Sequence, residues 1–337
     1  MAAQSIEYVE LFTSDEHSIV EYFVSSFGFT QTAESVSDGS HSSLLRQGTV
    51  QLIVTTGRGT EAFLEEHGDG IADIAFGCDD AAGTFDAAVV AGAPVISSIP
   101  GRLVVSGFSG TRHTLVTRSV ESSLPADRTW TPIPPGGQGS TGHIQLLDHV
   151  AVCVESGTLA DYVDFYADAF GLAVYSREYI EVGDQAMDSI VVRSPSGGIT
   201  FTVLEQDSTK KSGQVESFIS RNNGPGVQHL AFLVDDIVTA VREYGDRGVW
   251  FLRTPDAYYD MLIERMPGLR RKVADLRSTN VLADRDEWGY LLQLFTRSPY
   301  KRNTTFYELV QRCGARGFGS ANIRALYEAV EHDGPVG

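Results

Sequence analysis

The chain has 337 residues, 42% of them apolar, which is enough for two ordinary domains or one large one. A formal net charge of −18 argues against nucleic acid and anionic membrane as partners, and no apolar run approaches the roughly 18 residues that a membrane-spanning helix needs. Cys78, Cys153 and Cys313 show no CxxC spacing and read as reduced thiols of a cytoplasmic protein, and the opening MAAQSIEYVE lacks the basic region and apolar core of a secretory signal.

In chain order, Ile6 to Phe12 (IEYVELF) reads as a strand. A helix follows with an apolar stripe at Val20, Phe23, Val24 and Phe27, ended by Gly28. Ser43 to Val54 reads as a hairpin, Gly68 to Asp80 (GDGIADIAFGCDD) as a strand, and TFDAAVVAGAPVI as a helix and strand. Val120 to Gly142 is rich in Pro, Gly and Ser and reads as a linker. Beyond it the plan repeats. Leu146 to Val152 (LLDHVAV) is the matching strand. Thr158 is the expected N-cap of a helix with Leu159, Tyr162, Val163 and Tyr166 on one face and Gly171 at its end. Ser189 to Val203 is the second hairpin. Gly224 to Asp236 (GPGVQHLAFLVDD) aligns with Gly68 to Asp80 without a gap, sharing Gly, Gly, Ala, Phe, Asp and Asp, and AVREYGDRGVWFL again predicts a helix and strand. Arg265 to Lys272 (RMPGLRRK) reads as a surface loop. The C-terminal GFGSANIRALYEAVE reads as a turn around Phe318 and an amphipathic helix whose apolar face is Ile323, Leu326, Tyr327 and Val330. That helix serves either core packing or as a lid that keeps water from a reactive site. The expected division is residues 1–140, a degenerate copy, and residues 141–337, the copy that carries chemistry.

Three residues in separate strand-like runs stand out: His149, His229 and Glu308. In the internal alignment His149 faces Tyr8 and His229 faces Asp73, so the first half repeats the pattern without the imidazoles. Two imidazoles and a carboxylate are the ligand set of a facial-triad Fe(II) site, which leaves positions open for substrate and O2. Taken singly, a strand histidine also reads as a hydrogen-bonded core or surface residue. Glu308 shares a face with Phe306 and Val310, so it needs either a metal or a salt bridge to Arg302, Arg312 or Arg316. Asp148, next to His149, is expected on the opposite strand face as a neighbour, not a ligand. Ser189, Gln214, Gln228, Gln293 and Asn322 are polar candidates for holding a substrate, or structural hydrogen-bonders. Dinucleotide, P-loop and GxSxG signatures are absent, and no nucleotide or organic cofactor is expected.

The motifs LDHV, GVQHLAF, TPDAYYDML, ADRDEWGYLLQLFT, FYELVQR and GFGSAN with RALYEAVE are specific in combination. On them the chain resembles the 4-hydroxyphenylpyruvate dioxygenase family of the vicinal-oxygen-chelate, glyoxalase-like fold over nearly its whole length. The resemblance implies an α+β fold of tandem βαβββ repeats forming two open β-barrel-like domains, with a C-terminal lid helix. It implies one Fe(II) per chain on His149, His229 and Glu308, O2 as co-substrate, a small arylpyruvate that chelates the iron through its 2-oxo acid, and a homodimer. It places Ser189, Thr202, Leu204, Gln214, Gln228, Gln293, Phe318, Asn322 and Ile323 around the substrate. Three positions depart from the dioxygenase pattern: Thr202 and Leu204 stand where a Pro-x-Asn precedes the Glu, and Ile323 stands where Phe follows the Asn. All three departures resemble a sister activity, 4-hydroxymandelate synthesis. That activity hydroxylates the benzylic carbon to the S product and feeds 4-hydroxyphenylglycine to nonribosomal peptide antibiotics. The alternatives are homogentisate formation in tyrosine catabolism and a non-catalytic binding protein of the same fold.

Overall fold

Two mixed sheets carry the chain, and their strands follow one order. In the computed structural model, which describes residues 2–99, 101–118, 124–134 and 142–322, the first sheet runs Val95–Ile99, Arg102–Ser106, Arg112–Thr117, Gly70–Cys78, Ala3–Phe12, Val50–Gly57, Ser40–Gln47, Thr30–Ser37 and Thr131–Pro132. The second runs Leu282–Arg285, Tyr290–Phe295, Phe306–Cys313, Gly226–Val234, Ile144–Val154, Thr200–Gln206, Gln185–Arg193 and Ala173–Val182. Apart from the short edge strand, the two orders coincide. This is the α+β architecture that the tandem pattern predicts. In each sheet the two central strands are antiparallel to each other, and each pairs in parallel with an outer neighbour. The Asp residues that end the duplicated strand motif cap the following helices: Asp80 accepts from the Gly83 amide and Asp236 from the Thr239 amide.

One hydrophobic cluster spans both halves. Phe23 and Phe27 of the first half pack on Tyr307, Phe27 on Tyr244, and Phe76 on Phe170 and Phe201. His113 is fully buried between the halves. Its Nδ1 lies 3.0 Å from the Ile74 carbonyl, to which it donates, and its Nε2 accepts from the Tyr166 hydroxyl at 2.6 Å. The hairpin turn at Gly48 presses against the second sheet. Its φ is +55°, and a Cβ there would sit 2.2 Å from the Gln145 carbonyl, which the Thr49 amide also reaches at 2.7 Å.

Several local expectations are corrected. The first helix is α-helical only over Glu16–Glu21 and continues as a π-helix over Tyr22–Ser26, with the Phe27 amide bonding the Tyr22 carbonyl. The wider turn brings Ser26 to the Arg247 carbonyl and leaves Val24 only half-buried. Thr158 occupies the N-cap position of Leu159–Phe170 but makes no capping bond; its hydroxyl donates to the Glu155 carbonyl. The Leu159 amide is satisfied instead by the Glu205 carboxylate at 2.8 Å. The strand expected at Trp250 to Leu252 is a single bridge between Phe251 and Thr296. Arg265 to Lys272 is no plain loop: it joins two helices through a helical turn at Pro267–Leu269, and Arg265 bonds the Tyr258 hydroxyl and the Ala283 carbonyl. The described part of the linker is structured, with Thr131–Pro132 pairing with Ala33 and Glu34 at the sheet edge, where a proline is tolerated. The amphipathic helix from Ile323 onward lies outside the described residues.

Candidate metal centre

His149 and His229 lie on the two central strands of the second sheet, and Glu308 lies on the strand parallel to the latter. The register puts Ala231 directly between His149 and Glu308, and Ala151 beside His229. These methyl side chains leave the concave face open, so three long side chains converge over them. The Nε2 atoms of His149 and His229 lie 3.3 and 3.2 Å from Glu308 Oε2. All three residues are buried, and one ligand atom from each falls within 4.8 Å of the others. Among the described residues this is the one such group. Among the described residues Glu308 pairs with no arginine: Arg302 bonds the carbonyls of Glu65 and Glu66, and Arg316 stacks on Trp288.

Both imidazoles are held from behind. Asp148 sits in a β-bulge between Leu147 and His149, where the strand's alternation fails. Its carboxylate therefore accepts from His149 Nδ1 at 2.8 Å instead of pointing to the opposite face. Arg312 grips that carboxylate with two bonds of 2.7 Å, donates to the Ala315 and Gly317 carbonyls, and stacks on the Phe318 ring. Gln228 Oε1 lies 3.2 Å from His229 Nδ1. With each Nδ1 assigned as a donor, each Nε2 faces the centre, where it donates to Glu308 in the metal-free protein and would give its lone pair to a bound metal. Burial lowers the affinity of both rings for a proton. For His149 the bonds to Asp148 and Glu308 outweigh burial and raise its pKa to about 9, whereas His229 stays lowered. Burial would raise the Glu308 pKa, but the bonds from both histidines hold it below the usual carboxylate range. A buried carboxylate and two oriented imidazoles are a donor set suited to a divalent transition metal.

Residues 1–113 match the family model "Hydroxyphenylpyruvate dioxygenase, HPPD, N-terminal", and residues 146–294 match "Glyoxalase/Bleomycin resistance protein/Dioxygenase superfamily". A 4-hydroxyphenylpyruvate dioxygenase from Aspergillus fumigatus is 30% identical over 97% of this chain and 92% of its own. One from Yarrowia lipolytica is 34% identical over 81% and 74%. The chain belongs to the 4-hydroxyphenylpyruvate dioxygenase family. A solved structure of a triply substituted 4-hydroxymandelate synthase from Streptomyces coelicolor is 53% identical, covers 98% of this chain and 99% of its own, and superposes with a TM-score of 0.88.

Within this family framework, the sequence-derived pocket residues fall into groups. Thr202 pairs with Ala151, and Leu204 with Cys153 and Ser189, along the concave face that carries the histidines. Leu204 packs against the helix residues Val215 and Phe218. Gln293 and Asn322 meet at 3.3 Å, and Asn322, fully buried, also accepts from the Tyr258 hydroxyl. Phe318 stands edge-on to His149 with ring centroids 5.2 Å apart. Gln228 is engaged with His229. Gln214 is not brought to the group: it is the exposed first residue of the helix Gln214–Asn222. Ile323 lies outside the described residues. Sequence reasoning missed Phe295 and Phe306, whose rings lie 5.8 and 5.1 Å from His229. The alternation that placed Glu308 and Phe306 on one face was the available signal. It missed Arg312 as the partner of Asp148 as well.

The first half fills the corresponding place with an ion cluster. By register, Tyr8 matches His149, Asp73 matches His229 and Thr114 matches Glu308. Asp73 accepts from the Thr114 amide and hydroxyl, and Arg112 reaches both Asp73 and the buried Glu10. The guanidiniums of Arg112 and Arg128 face these carboxylates, Arg128 reaching Glu10 at 2.7 Å.

Proposed function

We propose that the protein is an Fe(II)-dependent oxygenase that converts 4-hydroxyphenylpyruvate and O2 to (S)-4-hydroxymandelate and CO2. The observation that carries this reading is the likeness to 4-hydroxymandelate synthase at 53% identity over 98% of the chain. His149, His229 and Glu308 are the proposed iron ligands, in a catalytic half beginning near residue 141. Bound Fe(II) would supply the coordination positions at which a 2-oxo acid chelates and O2 is activated. Asp148 and Gln228 fix the two imidazoles, and Phe295 and Phe306 give the site apolar walls. Ser189, Thr202, Leu204, Gln293, Phe318, Asn322 and Ile323 shape the substrate pocket. Leu204 stands where the dioxygenase pattern has an amide, so one polar group that could hold the ring phenol is lost. A ring free to swing presents its CH2 group to the oxidant, and small changes in position decide which carbon reacts. A cytoplasmic homodimer that feeds antibiotic synthesis belongs to the same proposal.

The second reading, homogentisate formation, is favoured by the names of the relatives from Aspergillus and Yarrowia. Product analysis after aerobic incubation with Fe(II), ascorbate and 4-hydroxyphenylpyruvate separates the two. 4-Hydroxymandelate as the main product is expected; homogentisate in its place would overturn the proposal.

A further inference from the structure

A cleft of about 880 Å³ opens along the seam between the two halves, beside the metal centre and separate from the face that carries the ligands. The strand residues Ser5 to Val9 and the turn at Thr49 to Gln51 form one wall; Tyr175, Arg193, Arg312, Arg316 and Phe318 belong to the other. Arg193 is unusual in this chain. Among the described residues its Nε is buried without a hydrogen-bond partner, and its guanidinium lies over the Tyr175 ring at 5.1 Å. Among the described residues this guanidinium makes no hydrogen bond or ion pair, so its Nη donors at the cleft wall are left for a carboxylate from outside. Arg312 is committed to Asp148, and Arg316 lies over Trp288. Against these three cations the cleft sets Glu7 and Asp148, which leaves it one positive charge in excess on a chain of net charge −18. The aromatic rings are as well placed as the charge. Tyr175 and Phe318 face each other edge-on, centroids 6.3 Å apart, and the other side of the contact is Phe318 against His149 at 5.2 Å.

We propose that this cleft binds a small aromatic carboxylate, with the carboxylate on Arg193 and the ring against Tyr175 and Phe318, one ring's thickness from the metal centre. The ligand class rests on the function proposed above. The site itself rests on the unpaired Arg193, the aromatic pair and the local excess of positive charge. An acid held here is concentrated next to the centre that consumes it or releases it, and the local field draws an anion that the rest of the surface repels.

The test is calorimetric titration of the metal-free protein with 4-hydroxyphenylacetate and with its uncharged amide. The acid is expected to bind about ten-fold or more tightly than the amide, and Arg193→Met to remove about ten-fold of the acid's affinity while circular dichroism stays unchanged. Arg193→Lys keeps the charge and is expected to bind the acid more tightly than Arg193→Met does, which covers the case of a poorly folding methionine variant. Equal binding of acid and amide, or an Arg193→Met protein as tight as the parent, would overturn the proposal. Titrations with 4-hydroxyphenylpyruvate and 4-hydroxymandelate tell whether an Arg193-dependent site holds incoming or outgoing acid. Failure of the turnover assay leaves the acid–amide contrast intact. An unaltered Arg193→Met titration removes the cleft site and leaves the product assignment standing.

Discussion

Asp148 orients His149 without touching the ligand group's centre, so its removal isolates orientation from ligation. Asp148→Ala frees His149 Nδ1 and leaves Arg312 without its carboxylate. Metal affinity is expected to fall by about ten- to a hundred-fold, read by competition with a chromogenic chelator; unchanged affinity would show that packing alone orients the ring. At the far end of the concave face, Leu204→Asn restores an amide beside Ser189 and Cys153. The expected result is a larger homogentisate fraction among the products, measured by chromatography, and an active variant with the parent's ratio would remove Leu204 from the account of selectivity. The three converging residues stand out in the sequence because the first half offers Tyr8 and Asp73 at the histidines' places. Asp148 does not, because a strict period of two sends it to the wrong face and only the bulge between Leu147 and His149 brings it back. Gln214 failed for the opposite reason: nothing local distinguishes a polar residue that faces a pocket from one that opens a helix toward solvent.

Among the elements, the helix Leu159–Phe170 illustrates how a neighbour can take over a cap. The carboxylate that satisfies its first turn comes from Glu205 at the end of the adjacent hairpin strand, while Thr158 turns away. Glu205→Ala is expected to cost about 1 kcal/mol in urea denaturation, and Thr158→Ala less. A larger loss at Thr158 would contradict the assignment. This cap has no sequence signal, since Leu159 and Glu205 meet only after the sheet has formed. The helices, hairpins and repeated strands could be read, because periodicity and the terminal glycines and aspartates are local. The π-helical turn at Tyr22–Ser26 could not, since it answers to contacts with the second half such as that of Ser26 with Arg247.

Across the whole molecule, the halves share one core, and His113 is a titratable group buried within it. Burial lowers its pKa from 6.5 to about 4. The unfolded chain takes up this proton below pH 6.5 and the folded chain only near pH 4, so the associated stability is complete above pH 6.5 and is lost as pH falls through 4. The loss is roughly 3 kcal/mol, on the basis of about 1.4 kcal/mol for each pH unit of displacement. Urea midpoints between pH 7 and 4 should fall in the parent and fall less steeply in His113→Gln; parallel curves would rule out His113 as a source of acid sensitivity. Because Phe76 and His113 pack on Phe170, Tyr166 and Phe201, both halves are expected to melt in a single calorimetric transition.

The spacing of the three candidate metal ligands has a consequence for how the protein is made. His149 and His229 leave the ribosome well before Glu308, and Arg312, which secures Asp148, follows it. A nascent chain can complete both sheets' central strands and still lack the carboxylate. The group is therefore complete only after residue 308 has been made and its strand has paired with Gly226–Val234.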